Sequence, residues 1–274
     1  MRIWDCHSHL LGGETGEFVL EQMDAAGIER INLFSVYPGW QRDYREPVSR
    51  EEVRAAIDHV AAVQAVNPER IRGLVWANPR AEGMIDEMER GLTDLGLRGT
   101  KLIPDHWEPC GELIAPLYDK MQELGKPIQF HSGILYAMGD SSRFCRPVLY
   151  EALLNWLRLR FALAHIGWPW TDECIAVFGR MRAAAGYDAN GCQMWIDTCR
   201  GTPDAWREDA LRKAVPFCGV ERLMFGVDGS PANLARNAPV HVRKDLDLLG
   251  EVIGLSEAQI ETYFFGACAA FWGE

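Results

Sequence analysis

Near the start of the chain, Trp4-Asp-Cys-His-Ser-His9 places two imidazoles two residues apart. A strand turns alternate side chains to opposite faces, so Asp5, His7 and His9 would share one face and Trp4, Cys6 and Ser8 the other. Two rings about 7 Å apart along that face can both reach one cation, for which neutral imidazole is a good ligand. Asp5, deeper on the same face, is placed to accept a ring N–H and fix the ring's orientation. A pair of core histidines satisfied by ordinary hydrogen bonds is the competing reading of H-x-H alone. It weakens because His131, His165 and Asp228 each close an apolar, β-branched run, and Lys101 and Asp197 lie near the ends of two more. Groups that bind metals or move protons thus recur at matching heights on segments far apart in the chain.

Those runs number eight: Arg2–His9, Arg30–Tyr37, Ile71–Asn78, Leu97–Ile103, Pro127–His131, Phe161–His165, Cys192–Thr198 and Arg222–Asp228. Helical patterns separate them. Glu17–Ala26 stops at Gly27, and Ser49-Arg-Glu-Glu52 is a capping box opening a helix to Val66. Met84–Leu95, Leu113–Leu124, Pro147–Leu159, Thr171–Ala185, Pro203–Ala214 and Val240–Ile253 follow, and Ser256-Glu-Ala-Gln259 starts a last helix towards Trp272. Strand and helix alternating eight times demand a parallel sheet. A doubly wound sheet would carry a Gly-rich phosphate turn after its first strand, and none is there. The expectation is α/β, a single (β/α)8 TIM barrel, with residues 1–274 as one domain. In such a barrel the C-terminal strand ends form one rim, which is where the candidate groups fall.

Composition narrows the partners. The 274 residues hold 28 basic and 39 acidic side chains, a formal charge of −11. That field repels phosphate backbones, which argues against nucleic acid. No apolar run reaches the roughly 20 residues that cross a bilayer, so no membrane partner is expected. The 8 cysteines form no C-x-x-C pair and read as reduced thiols of a cytoplasmic protein. A small-molecule substrate remains, and a homo-oligomer is compatible with everything here.

The order of motifs resembles the amidohydrolase superfamily, and within it the branch of aminocarboxymuconate-semialdehyde decarboxylase and related lactone hydrolases. The markers are Asp5-Cys-His-Ser-His9, Gly99-Thr-Lys-Leu-Ile-Pro104, Phe130-His131, Ala164-His165-Ile-Gly167, Asp197-Thr198 and Phe225-Gly-Val-Asp228. The family's closing Gly-Asn-Ala is replaced by Phe265-Gly-Ala-Cys268, a departure at the C-terminus alone. The resemblance implies that His7, His9, His131 and Asp228 bind one divalent metal ion and that His165 polarises or protonates the substrate. Three nitrogens and a carboxylate suit Zn²⁺ and would also accept Mn²⁺ or Fe²⁺. Asp228 is then placed to take a proton from water and pass it to a leaving group. In binuclear relatives a lysine on strand four is carboxylated and bridges two metals; Lys101 is read instead as an ammonium that binds a substrate carboxylate, with the bridging role as the alternative.

For substrate contacts the expectation includes Trp107 and Trp168, with Trp40 and Trp170, in loops beyond strand ends, where flat apolar rings could wall a pocket. Arg146 and Arg200, with Arg143, could each hold a carboxylate in a bidentate fork. His106 and Glu108 flank Trp107, Asp197 is either a supporting hydrogen-bond acceptor or a core group, and His59 and His241 read as surface residues. The expected activity is metal-dependent hydrolysis of a small cyclic or carboxylated compound at a lactone-type C–O or C–N bond. The alternative is a carbon–carbon lyase (decarboxylase) or hydratase at the same site. A binding protein whose rim is organised by metal is the weakest reading.

Overall fold

The computed structural model describes residues 1–39, 42–136, 139–188 and 191–274. Eight parallel strands follow one another round a single sheet in chain order: β1 Trp4–His9, β2 Arg30–Phe34, β3 Ile71–Ala77, β4 Gly99–Leu102, β5 Ile128–Phe130, β6 Phe161–Leu163, β7 Met194–Asp197 and β8 Leu223–Met224. The first and last segments close the ring, with Cys6 N donating to Phe225 O at 3.0 Å, Asp228 N to His7 O at 2.8 Å and His9 N to Gly229 O at 2.8 Å. The fold is the expected (β/α)8 barrel. Helices cover the outside, so β3 is buried at all seven positions, and apart from Arg72 it reads as an apolar run instead of an alternating one.

Local signals place the helices. Ahead of α1 (Gly16–Ala26) Thr15 accepts from Phe18 N, and Gly27 ends it with a positive φ of 69° that an L side chain resists. Ser49 and Glu52 form the capping box of α2 (Arg50–Val66), each side chain accepting from the other's backbone N–H. Around the ring follow α3 (Met84–Thr93), α4 (Ala115–Leu124), the short α5 (Ser141–Phe144), α6 (Thr171–Ala184), α7 (Asp204–Cys218) and α8 (Pro231–Asp247). Four expectations need correction. The segment after α5 winds as a 3₁₀ helix, Pro147–Trp156. Two helices are longer than expected because they run through prolines: α7 reaches Cys218 past Pro216, and α8 begins at Pro231 and passes Pro239. A proline removes one ladder bond and does not end a helix whose faces are already packed. The last helix is broken into α9 (Glu257–Glu261), a π turn (Thr262–Gly266) and α10 (Ala267–Trp272).

That broken segment closes the N-terminal end of the barrel. Phe265, Cys268 and Phe271 pack with Trp4, Cys6, Trp195 and Met224 in one buried cluster. Glu274 accepts from Arg72 at 2.6 Å and pairs with Arg30 at the strand starts. The π turn also supplies Tyr263 to a buried polar network. Arg207 donates to both oxygens of Asp245, at 2.8 and 2.7 Å, and to Tyr263 Oη at 2.8 Å; Tyr263 in turn lies 2.7 Å from Thr198 Oγ1. Arg207, Asp245, Tyr263 and Thr198 are all buried, so α7, α8 and the π turn are tied to the chain leaving β7. Breaking a buried pair leaves an uncompensated charge. Arg207→Ala should therefore lower unfolding stability by about 3 kcal/mol, measured by urea titration; a loss within 0.5 kcal/mol, about the scale of ordinary surface changes, would show that the network is not a stabilising anchor.

Candidate active site

At the C-terminal end of the barrel, β1 departs from regular alternation. Trp4 and Asp5 pair with Arg30 and Ile31, but Ser8 and His9 pair with Leu33 and Phe34, so one extra residue is inserted between them. Such a bulge reverses the parity of the strand. Trp4 and Cys6 join the buried cluster inside the barrel floor, while His7 and His9 open into a cavity above it. Asp5 does not share the face of the imidazoles, and the expectation that it accepts a ring N–H is overturned. Its carboxylate accepts instead from Ser8 Oγ (2.7 Å), His7 N (3.0 Å) and Val227 N (2.8 Å), pinning the bulge to the segment after β8. Burial raises its pKa to about 6, against those hydrogen bonds.

The partner of the His7 ring is Asp197, at the end of β7, with Nδ1 and Oδ2 2.5 Å apart. Gln129 Nε2 and Cys199 N also donate to this carboxylate, each at 2.8 Å. Burial alone would raise the Asp197 carboxyl, but the hydrogen bond from the His7 ring and the nearby Lys101 hold it well below the usual range. An ionised Asp197 only accepts, so His7 carries its proton on Nδ1 and keeps a lone pair on Nε2. That nitrogen lies 3.1 Å from His9 Nε2, 3.5 Å from Asp228 Oδ1 and 3.4 Å from Lys101 Nζ. One donor atom from each of His7, His9 and Asp228 falls within 4.8 Å of the others.

His165 and Asp228 lie beyond the last paired residues of their strands, Leu163 and Met224, and both adopt left-handed backbone, φ 59° and 58°. Neither residue is at ease there, and the turn swings both side chains into the cavity. Gly201 backs the His165 ring so closely that a Cβ would lie 2.1 Å from Nδ1. His165 Nε2 is 3.1 Å from His131 Nδ1, and its Nδ1 is 3.0 Å from Cys199 Sγ and 3.7 Å from Asp228 Oδ2. Burial pushes His9 and His131 well below the ordinary imidazole range and His165 down to about 4, so all three are neutral at pH 7.

These residues fit a divalent ion. Donors about 2.0–2.1 Å from a tetrahedral centre lie about 3.3 Å from one another, close to the 3.1 and 3.5 Å found round His7 Nε2. His131 Nε2 is buried with no hydrogen-bond partner among the described residues. As a donor it would waste its proton; as a bare lone pair turned to a cation it would be satisfied. The second arrangement puts the His131 proton on Nδ1, donated to His165 Nε2, and the His165 proton on Nδ1, facing Cys199 and Asp228.

The cavity above the imidazoles has a volume of about 490 Å³ and is lined by His7, His9, His131, His165 and Asp228 together with loop residues beyond several strand ends. Lys101 is buried beneath it, 4.6 Å from the Phe34 ring centre, and is not on its wall. Burial lowers its pKa. Trp107 is packed in the core, Trp168 leans on Trp206 with centroids 5.5 Å apart, and Trp170 lies against Arg146. Arg146 pairs with Glu173, Arg143 with Glu108, and Arg200 with Asp204 and Asp245. None of these lines the cavity. Trp40 lies outside the described residues. His106 and Glu108 do not line it either; His106 stacks on Tyr44 in a neighbouring hollow, with centroids 3.6 Å apart. His59 and His241 are half-buried and not plain surface groups: His59 contacts Glu14 O at 2.8 Å, and burial brings His241 down to about 4.

Sequence reasoning missed Gln129 and Cys199. Each lies two residues from a site residue, His131 and Asp197, so strand period pointed to both. It also missed Tyr37 and Trp76 as cavity walls.

The chain matches the amidohydrolase family over residues 4–273 and belongs to it. It is thus an enzyme-family barrel whose site holds metal-capable donors. Among solved structures it is similar to 5-carboxyvanillate decarboxylase from Sphingomonas paucimobilis (TM-score 0.69, 16% identity, 99% of this chain and 98% of that one). It is also similar to a dihydroxybenzoic acid decarboxylase from Polaromonas sp. JS666 with bound manganese and the inhibitor 2-nitroresorcinol (0.69, 17%, 99% and 96%). A third is 4-oxalomesaconate hydratase from Rhodopseudomonas palustris (0.66, 16%, 98% and 95%). No curated protein matches the chain in sequence. Among the described residues no helix is long and apolar enough to cross a membrane.

Neutral buried imidazoles set a pH response. An unfolded histidine takes up a proton near pH 6.5, whereas folded His165 does so only near 4. Between those values the unfolded chain binds more protons, so stability falls with falling pH. The thermal midpoint of chelated protein should drop from pH 7 to 4.5, and less steeply in His165→Gln. Identical slopes for the two proteins would contradict the assignment.

Proposed function

We propose that this protein is a metal-dependent enzyme that hydrolyses a lactone-type C–O or C–N bond in a small cyclic compound. The observation that carries the reading is the meeting of His7, His9 and Asp228 donor atoms within 4.8 Å in a cavity that is also lined by His131, whose buried Nε2 has no hydrogen-bond partner among the described residues. His7, His9, His131 and Asp228 would hold the ion. Zn²⁺ suits that set, and Mn²⁺, the metal bound in the Polaromonas enzyme, is the main rival. When bound, such an ion acidifies water and polarises a carbonyl.

The chain's own groups do the rest. Asp197 holds the His7 ring so that Nε2 faces the cavity floor. Asp228, with a quarter of its side chain open to the cavity, accepts the proton of the attacking water. His165, neutral and 3.7 Å from Asp228 Oδ2 through Nδ1, polarises the substrate carbonyl, and Asp228 passes the water's proton on to the departing oxygen or nitrogen. The apolar walls keep bulk water out, which strengthens each of these interactions.

A second reading is a carbon–carbon lyase, a decarboxylase or a hydratase. Apolar walls would strip a carboxylate of its hydration and favour its loss as carbon dioxide, and two of the similar structures are named decarboxylases. We place the enzyme in the cytoplasm, on its cysteines, all 8 of which are free, and give it no nucleic-acid partner, on its charge of −11, and no membrane partner, since no apolar run of the sequence reaches the roughly 20 residues that cross a bilayer.

Metal analysis should find about one ion per chain, as a single cluster of donors can hold. His131→Ala and Asp228→Ala should each lose most of it, while His165→Ala keeps the metal and loses turnover; full occupancy in both of the first two would defeat the ligand set. Turnover in ¹⁸O-water then separates the chemistries. Label in the product acid supports hydrolysis, and carbon dioxide release without label supports the lyase.

A further inference from the structure

The cavity wall is sharply divided. On one side, the ends of β1, β5, β6 and β8 and the start of α8 bring the four imidazoles, Asp228, Ser230 and Asn233, with the His9 ring meeting Trp76 at 5.3 Å between centroids. On the other, β3 and the loops after β1, β2, β4 and β5 bring an almost unbroken apolar arc, including Leu10, Val36, Ile103 and Leu135. Trp76 and Tyr37 form its flat part, with ring centroids 4.6 Å apart and planes 33° from parallel. The Tyr37 hydroxyl accepts from Asn78 Nδ2 at 2.7 Å, and burial pushes its pKa up to about 12, so it is neutral.

Among the described residues no arginine or lysine lines this cavity. The nearby candidates are turned elsewhere: Arg200, next to the wall residue Gly201, reaches away to Asp204 and Asp245, and Lys101 is wholly buried behind His7. The residues outside the described ones (Trp40, Gln41, Ala137, Met138, Ala189 and Asn190) include no cationic type. A carboxylate held against the apolar arc would lose its water and gain no cationic partner among the described residues, which is strongly unfavourable.

We infer that the substrate's body is neutral and apolar, a compound of one or two flat rings whose strongly polar group is confined to the end that reacts. Flat rings lie against Trp76, and the reacting end meets His165 and Asp228. This rests on the metal-enzyme reading for the position of that end, and it excludes compounds carrying a second carboxylate remote from it.

A pair of ligands tests it. Benzohydroxamates anchor on a metal through the hydroxamate and send the para substituent towards the opposite wall. On the metal-loaded enzyme, 4-methylbenzohydroxamate should bind at least tenfold tighter than 4-carboxybenzohydroxamate by calorimetry at pH 8, equivalent to about 1.4 kcal/mol. Leu135→Arg should cut that ratio to near one or invert it, and Val36→Arg supplies the same charge should the first variant misfold. Equal affinities in the parent, preference for the carboxylate, or no binding of the methyl compound would overturn the inference. Repeating both titrations on chelated protein separates the two claims: affinities that fall together uphold the metal anchor, and affinities that do not change refute it, while the ratio still reports on the wall.

Discussion

His7 Nε2 faces His9 Nε2 at 3.1 Å with Asp228 3.5 Å away, on the floor of a cavity where His7, His131 and His165 are buried. Lone pairs brought this close repel one another unless a proton or a cation lies among them. Asp197 removes the first remedy on one side by holding the His7 proton at Nδ1 in a hydrogen bond, and burial keeps His9 and His131 neutral. A divalent ion relieves the whole cluster at once. The placement of every other group at the rim follows from serving or flanking that concentration of electron pairs.

Holding it demands rigidity, and the barrel provides this in layers. The bulge in β1 is clamped by Asp5 across to Val227, which fixes His7 relative to the strand that delivers Asp228. Gln129 and Cys199 N grip Asp197 from two further segments. Beneath and behind them, the closed floor round Trp4 and the Arg207–Asp245–Tyr263 network tie the last helices to the strand ends. Left-handed backbone at His165 and Asp228 is held in place by these contacts. The strain aims both side chains at one point.

Chemistry and selection are divided between two sides of the cavity. Residues at or just past the strand ends carry the donors, because a strand fixes a side chain more tightly than a loop does. The loops after the early strands carry apolar walls and can vary without disturbing the floor. A barrel built this way can change the compound it accepts through its loops while keeping its floor.

How much of this was legible in the sequence depends on the range of the forces involved. Alternating apolar runs, capping boxes at Ser49 and Ser256 and the glycine stop at Gly27 are local, so strand order, most helices and the barrel were readable, as were the histidines and Asp228 at the strand ends. The metal-capable set was visible because the barrel's geometry sends every strand end to one rim. Tertiary packing decided the rest. A one-residue bulge, invisible to a period-two reading, moved Asp5 off the imidazole face and left Asp197, 190 positions away, as the partner of His7. Loop tryptophans and arginines sank into packing and ion pairs, since their side chains are long enough to find partners that no spacing rule reveals. Lys101 went beneath the site for the same reason that the walls are bare of charge: only the folded chain determines which groups share a small volume from which water has been removed.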